Sequence, residues 1–131
     1  MKIVGLYAAL LGLLYVAISI RAIRLRRALR IPIGDSGHPE MLRAMRVHAN
    51  FAEYVPIALI LILLNELAGL PALAVHGLGV LLLAGRLLHA YGVSKTSEAY
   101  VFRIAGMAMT FAVILGSAIL LLIEFVMQLV D

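Results

Sequence analysis

Arg43-Ala44-Met45-Arg46-Val47-His48-Ala49-Asn50-Phe51-Ala52-Glu53-Tyr54-Val55-Pro56 runs directly into Ile57-Ala58-Leu59-Ile60-Leu61-Ile62-Leu63-Leu64. The second half of this stretch is purely apolar; the first half carries arginines, a histidine, an amide and a carboxylate. One continuous helix would begin in water or headgroups and end in hydrocarbon. An ionisable group at the bilayer centre costs roughly 2.5–3.5 kcal/mol on insertion scales, so such groups face a partner, a cavity or a ligand. The motif therefore predicts a membrane helix and marks where function is to be sought.

Composition supports a bilayer as the solvent. Of 131 residues 64% are hydrophobic and only 14% charged, against about 45–50% and about 25% in soluble domains. There is no cysteine, which excludes structural disulfides, thiolate metal ligands and a cysteine nucleophile. Any thiol or metal must come from outside. The formal charge of +4 does not indicate nucleic acid. The basic residues Arg21, Arg24, Arg26, Arg27, Arg30, Arg43, Arg46, Lys95 and Arg103 lie beside apolar spans, which is a topology signal.

Outward from the motif, the chain divides into four spans, helices over about 3–30, 39–68, 71–93 and 103–130, forming a single domain over 1–131. Ile3 to Ile20 carries no charge and only Lys2 precedes it. Without a convincing small-residue cleavage site, it reads as a retained membrane helix rather than a signal peptide. Good helix formers carry it on through Arg26-Arg27-Ala28-Leu29-Arg30 until Pro32, Gly34 and Gly37 break it. His38-Pro39-Glu40 is a helix start, with proline in the first turn and an acid at the positive dipole end. A helix from Pro39 to Ala68 is roughly 45 Å long, against about 30 Å of hydrocarbon, so its first turns project into the headgroup layer. Pro56 is expected to kink it. Gly69 suits the position after the helix, and Pro71 the first turn of the next. Ser94 to Glu98 is a polar turn. Ala108, Ala112 and Gly116 show the small-xxx-small spacing that allows close helix approach. The basic residues in the first and third loops place both termini on the opposite side, periplasmic in a bacterial inner membrane.

Arg43, Arg46, Asn50 and Glu53 fall three, four and three residues apart, and so share one helical face. His48 lies about 200° from Arg46 at about 100° per residue, towards another helix or a neighbouring subunit. Arg86 and His89 share a face of the third helix. Two readings of these groups stay open. In one they form a structural network, with Glu53 paired to an arginine such as Arg86, or Arg86 snorkelling to the headgroups. In the other they bind a small ligand with more negative than positive groups. His48 and His89 lack a third ligand, so no metal is expected. Arg103 is a positive-inside anchor on the same plain reading.

The segment Arg43 to Pro56 also resembles the signature of the MAPEG family, the membrane-associated proteins in eicosanoid and glutathione metabolism. The order of arginine, polar residue, asparagine, glutamate and proline matches. The arginine run closing helix one, Pro39-Glu40 before helix two, the four spans and the length agree as well. The likeness is greatest to the short bacterial inner-membrane branch. It implies an all-α membrane protein, a four-helix transmembrane bundle assembled as a homotrimer, with glutathione bound between adjacent subunits. By position, Arg26, Arg27, Arg46, His48, Asn50, Glu53, Tyr54, Arg86 and His89 would bind glutathione, and Arg103 would stabilise its thiolate. One departure is Val93, where several family enzymes carry a tyrosine one turn after the position of His89.

The resemblance thus implies a membrane-bound glutathione transferase or peroxidase acting on lipophilic electrophiles, with no metal and no nucleic-acid partner. Its partners would be other copies of itself, lipids, glutathione and a lipophilic small molecule. Alternatives are a non-catalytic glutathione-binding or structural membrane protein, and a small proton-coupled exporter using Glu53. The small multidrug exporters carry their carboxylate in helix one, which here contains no acid.

Overall fold

The computed structural model describes residues 2–95, 97 and 99–130 and consists of four helices: α1 (Val4–Ala28), α2 (Pro39–Leu67), α3 (Ala72–Ser94) and α4 (Tyr100–Val130). All four are long and apolar enough to cross a membrane. α1 packs on α2 and, less extensively, on α3; α4 lies against α3 and α2 and does not meet α1. Short connections alternate their direction, so the basic ends of all four helices gather at one end of the bundle. The inward rows are Leu11 and Ile18 of α1, Val47, Phe51, Val55, Ala58 and Ile62 of α2, Val75 and Leu82 of α3, and Val113 of α4. Large apolar side chains such as Leu13, Leu115, Leu122 and Leu129 stay exposed, as a helix facing lipid or another chain requires.

The ends of the helices show where local rules held and where they did not. His38 has extended backbone before Pro39 and Glu40, the proline-initiated start expected there. α2 closes with Gly69 at φ 95; Leu70 N–H reaches Asn65 O at 3.0 Å and Gly69 N–H reaches Glu66 O at 3.3 Å, a Schellman closure. α1 ends the same way but with an arginine. Arg30 has φ 53, with Ile31 N–H on Arg26 O at 3.0 Å and Arg30 N–H on Arg27 O at 3.2 Å. The helix stops at Ala28, before Pro32 can break it. The Arg26 guanidinium braces this turn, donating to Gly34 O at 2.9 Å and Ile31 O at 3.4 Å.

Pro71 caps α3 from outside instead of forming its first turn, α3 continues to Ser94, and α4 starts at Tyr100. Pro56 lies inside α2 without ending it. Of the expected polar turn from Ser94 to Glu98, Thr96 and Glu98 lie outside the described residues.

The α3–α4 contact is the tightest in the bundle and rests on missing side chains. A Cβ on Gly106 would lie 2.5 Å from Gly85 O and 2.6 Å from His89 N, and one on Gly92 would lie 2.6 Å from Arg103 N. Only glycine permits such backbone approach. The small residues at this contact are not the row expected from spacing. Gly106, Thr110 and Ser117 face inward, whereas Ala108 and Ala112 are exposed, and nothing lies near a Cβ built on Gly116.

Candidate functional site

Gly106 and Gly92 hold α3 against the start of α4, which brings His89 and Arg103 to one cavity. α2 supplies the facing wall. The cavity, about 270 Å³, is lined by Pro39, Leu42, Arg43, Arg46, Asn50, His89, Val93 and Arg103. Arg43, Arg46 and Asn50 are three members of the helical stripe read from the sequence. Arg43 also donates to Val93 O at 3.3 Å, tying α2 to the end of α3. Ligand pockets usually measure about 300–1,000 Å³, so this one suits a small polar ligand or the polar part of a larger one.

Arg86 lies directly behind this wall and is the most consequential polar residue in the bundle. It is 1% exposed. Neither the snorkelling arginine nor the Arg86–Glu53 pair occurs. Arg86 Nη2 donates to Asn50 Oδ1 at 2.6 Å and meets His89 Nδ1 at 3.2 Å. Nη1 reaches Thr110 Oγ1 at 3.4 Å and Met107 Sδ at 3.8 Å, and Thr110 Oγ1 in turn donates to Gly106 O at 2.8 Å. The guanidinium carbon sits 5.8 Å from the Phe51 ring centroid. None of these partners is a carboxylate, and Nε is buried with no partner among the described residues. Burying an uncompensated charge costs several kcal/mol, and an anion in the adjoining cavity, reached through Asn50 and His89, would offset part of that cost. Sequence reasoning placed Arg86 and His89 on one face but missed Thr110, Met107 and Phe51 around them. Only the four-residue spacing of Gly106 and Thr110 hinted at that wall.

The other residues carried over from the resemblance lie outside this cavity. His48 stacks on Tyr15 of α1, with ring centroids 4.9 Å apart, and so faces another helix as its angle foretold. Tyr54 meets Phe111 of α4 edge-on, with centroids 5.5 Å apart. Glu53 is exposed on the outer face of α2, beside exposed Ala52, Pro56 and Ile57. Arg27 is exposed at the end of α1, and Arg26 Nη1 donates into the α1–α2 loop.

A larger open groove, about 740 Å³, lies between α1, Glu40 and the end of α3, with Arg21, Arg24 and Lys95 on its walls. Arg21 donates there to Ser94 Oγ. Its charged groups are surface residues, as expected of a basic headgroup contact, and none is buried like Arg86. No group of three metal-ligating side chains occurs among the described residues.

Comparison with known proteins bears on this arrangement. The chain is similar to two curated relatives named Inner membrane protein YecN, from Escherichia coli strain K12 and from Escherichia coli O6:H1 strain CFT073. Each is 40% identical over 111 residues, covering 85% of this chain and 83% of the relative. The model of the MAPEG family matches residues 4–123, from the first turn of α1 to within the last two turns of α4. With the whole bundle and its polar end inside that match, the chain belongs to the MAPEG family.

Proposed function

We propose that this chain is an inner-membrane, glutathione-binding protein of the transferase or peroxidase type, which presents the thiolate of glutathione to lipophilic electrophiles. The observation that carries this reading is the cavity joining Arg43, Arg46, Asn50, His89 and Arg103, backed by a buried Arg86 that no carboxylate among the described residues compensates. Glutathione brings two carboxylates and a thiol, and guanidinium groups are the side chains best matched to carboxylates. A guanidinium beside a thiol favours its ionised form. Lowering a thiol pKa from about 8.5 to about 6.5 would raise the thiolate fraction at neutral pH from about 3% to about 75%. Arg103, in the first turn of α4 at the cavity wall, is the residue assigned to that task. The thiolate sulfur then attacks the electrophilic carbon and displaces its leaving group. With a hydroperoxide it attacks the terminal oxygen, the O–O bond breaks, and the alkoxide leaves as the alcohol after protonation. A second glutathione converts the sulfenic acid to the disulfide and water.

Glu53 supports an assembled form. A carboxylate on the outer face near the middle of a membrane helix is costly against lipid, and a neighbouring subunit would cover it. In the homotrimer the resemblance implies, α1 of an adjacent copy would bring its Arg26 and Arg27 toward the α2 stripe, with Glu53, Tyr54 and His48 beside the ligand. The peptide amine would then meet Glu53. The basic residues of the first and third loops support an orientation with those loops in the cytoplasm and both termini in the periplasm.

Conjugation of a chloronitrobenzene substrate by the purified protein tests the reading, with Arg103→Ala as the control. Turnover that falls in the variant, together with loss of thiolate absorbance, is the expected result. Unchanged thiolate ionisation in Arg103→Ala would remove that assignment. Val93 lines the cavity where several family enzymes carry a tyrosine, which favours one second reading: glutathione binding without turnover. Saturable binding with no conjugation would select it.

A further inference from the structure

We infer that Arg86 makes this cavity a donor-only receptor, fixing His89 as its Nε2–H tautomer and turning the Asn50 amide nitrogen inward, so that the site accepts carboxylates or thiolates and refuses ammonium groups. The inference rests on the cavity being a ligand site. Its logic is hydrogen-bond accounting. A guanidinium has five N–H donors and no acceptor. The group that meets Arg86 Nη2 at 3.2 Å, His89 Nδ1, must therefore be the unprotonated, accepting nitrogen. The imidazole proton then sits on Nε2. A doubly protonated ring would set N–H against N–H and lose the contact.

The same reasoning orients Asn50. Its Oδ1 lies 2.6 Å from Arg86 Nη2; the opposite amide orientation would set donor against donor, so the assignment does not depend on an arbitrary flip. The amide nitrogen is the end left for the cavity that Asn50 lines. His89 and Asn50 join Arg43, Arg46 and Arg103, so among the described residues every polar side chain lining the cavity carries donors. No carboxylate side chain lines it among the described residues. The partnerless Nε of Arg86 is independent evidence that this wall carries more donors than the protein itself satisfies. Arg86 is thus a positioning residue, acting on a ligand through Asn50 and His89. His89, with its lone pair facing Arg86, is not available as a general base. The ammonium of a zwitterionic peptide finds no carboxylate among the described residues here, and is expected outside, on the side where Glu53 is exposed.

Two measurements on the full chain in phospholipid nanodiscs test this. In the 15N spectrum of histidine-labelled protein, with the His89 signal assigned by its loss in His89→Gln, Nδ1 should be pyridine-type and Nε2 pyrrole-type. A proton on Nδ1 overturns the inference, and this readout needs no variant of Arg86. In Arg86→Met the tautomers should mix; an unchanged His89 signal also overturns it. In the second measurement, glutarate and 1,5-diaminopentane are titrated calorimetrically. Glutarate should saturate and the diamine should not bind. Arg86→Met should weaken glutarate roughly tenfold or more through two misplaced donors. Diamine binding, or no saturable glutarate binding, contradicts the assignment. The glutathione reading fails separately. Glutarate binding with pyridine-type Nδ1 but no glutathione binding removes that reading alone. Glutathione binding with a proton on His89 Nδ1 removes this one alone.

Discussion

The two ends of the bundle treat polar groups in opposite ways. At the end holding the chain's amino terminus, three polar side chains fasten one element to another, although the buried Ser117 Oγ has no partner among the described residues. Glu66 accepts the backbone N–H groups of Ile3 at 2.5 Å and Val4 at 3.0 Å, closing the amino terminus of α1 from α2. Tyr7 Oη meets His76 Nδ1 at 2.9 Å. Asn65 Nδ2 donates to Leu61 O at 2.8 Å and to Ser117 O at 2.9 Å, tying α2 to α4. At the opposite end, Arg86 is buried against neutral acceptors and one of its nitrogens has none. Arginines line the cavity in front of it. Polar groups that the fold satisfies are fasteners. A buried cation without a carboxylate among the described residues, behind a cavity lined by arginines, is the arrangement that supports binding at this end.

Substitutions at each end can break or sharpen that contrast. The largest effect is expected at the cavity, where Arg46→Ala should lower affinity for a dicarboxylate or glutathione roughly tenfold to a hundredfold, the range of a lost charged hydrogen bond. Its thermal unfolding should stay unchanged, because Arg46 is exposed. Asn65→Ala should show the reverse pattern, a stability loss of about 1–3 kcal/mol from buried bonds removed, with ligand affinity intact. Detergent-unfolding and titration measured on both variants would check the pair. If both substitutions moved stability and neither moved affinity, the two ends would be alike and the contrast would collapse. Tyr7→Phe should cost less, about 0.5–1.5 kcal/mol, again with affinity untouched. Glu66→Gln should be the mildest, visible as faster amide exchange at Ile3 and Val4 with the rest of α1 unaltered.

Much of the fold was legible because its signals are local. Apolar blocks of membrane length, Gly69 and Pro71 between α2 and α3, and His38-Pro39-Glu40 before α2 each act within a few residues. Arg30 misled the reading of α1, since a non-glycine in the left-handed conformation leaves no mark in composition. The inward row of α4 was misassigned for a different reason. Ala108-Ala112-Gly116 and Gly106-Thr110 are both small-residue rows four apart, and only the glycines of α3 decide which row faces in. The Arg43-Arg46-Asn50 face was legible from helical spacing. The depth of Arg86 was not, because a lone arginine near a helix end can equally snorkel, and the partners that bury it come from α2 and α4. Glu66 closing α1 was invisible for the same reason, the N–H groups that donate to it lying across the whole helical hairpin.

The most direct measurement is calorimetric titration of reduced glutathione into the wild-type protein and Arg46→Ala in nanodiscs, with thermal unfolding of both recorded in parallel. The donor-lined cavity predicts saturable binding in the wild type and weaker binding in the variant, at equal stability. No saturable binding at millimolar glutathione, or equal affinity in both proteins, would contradict it and leave the arginines as anchors of topology.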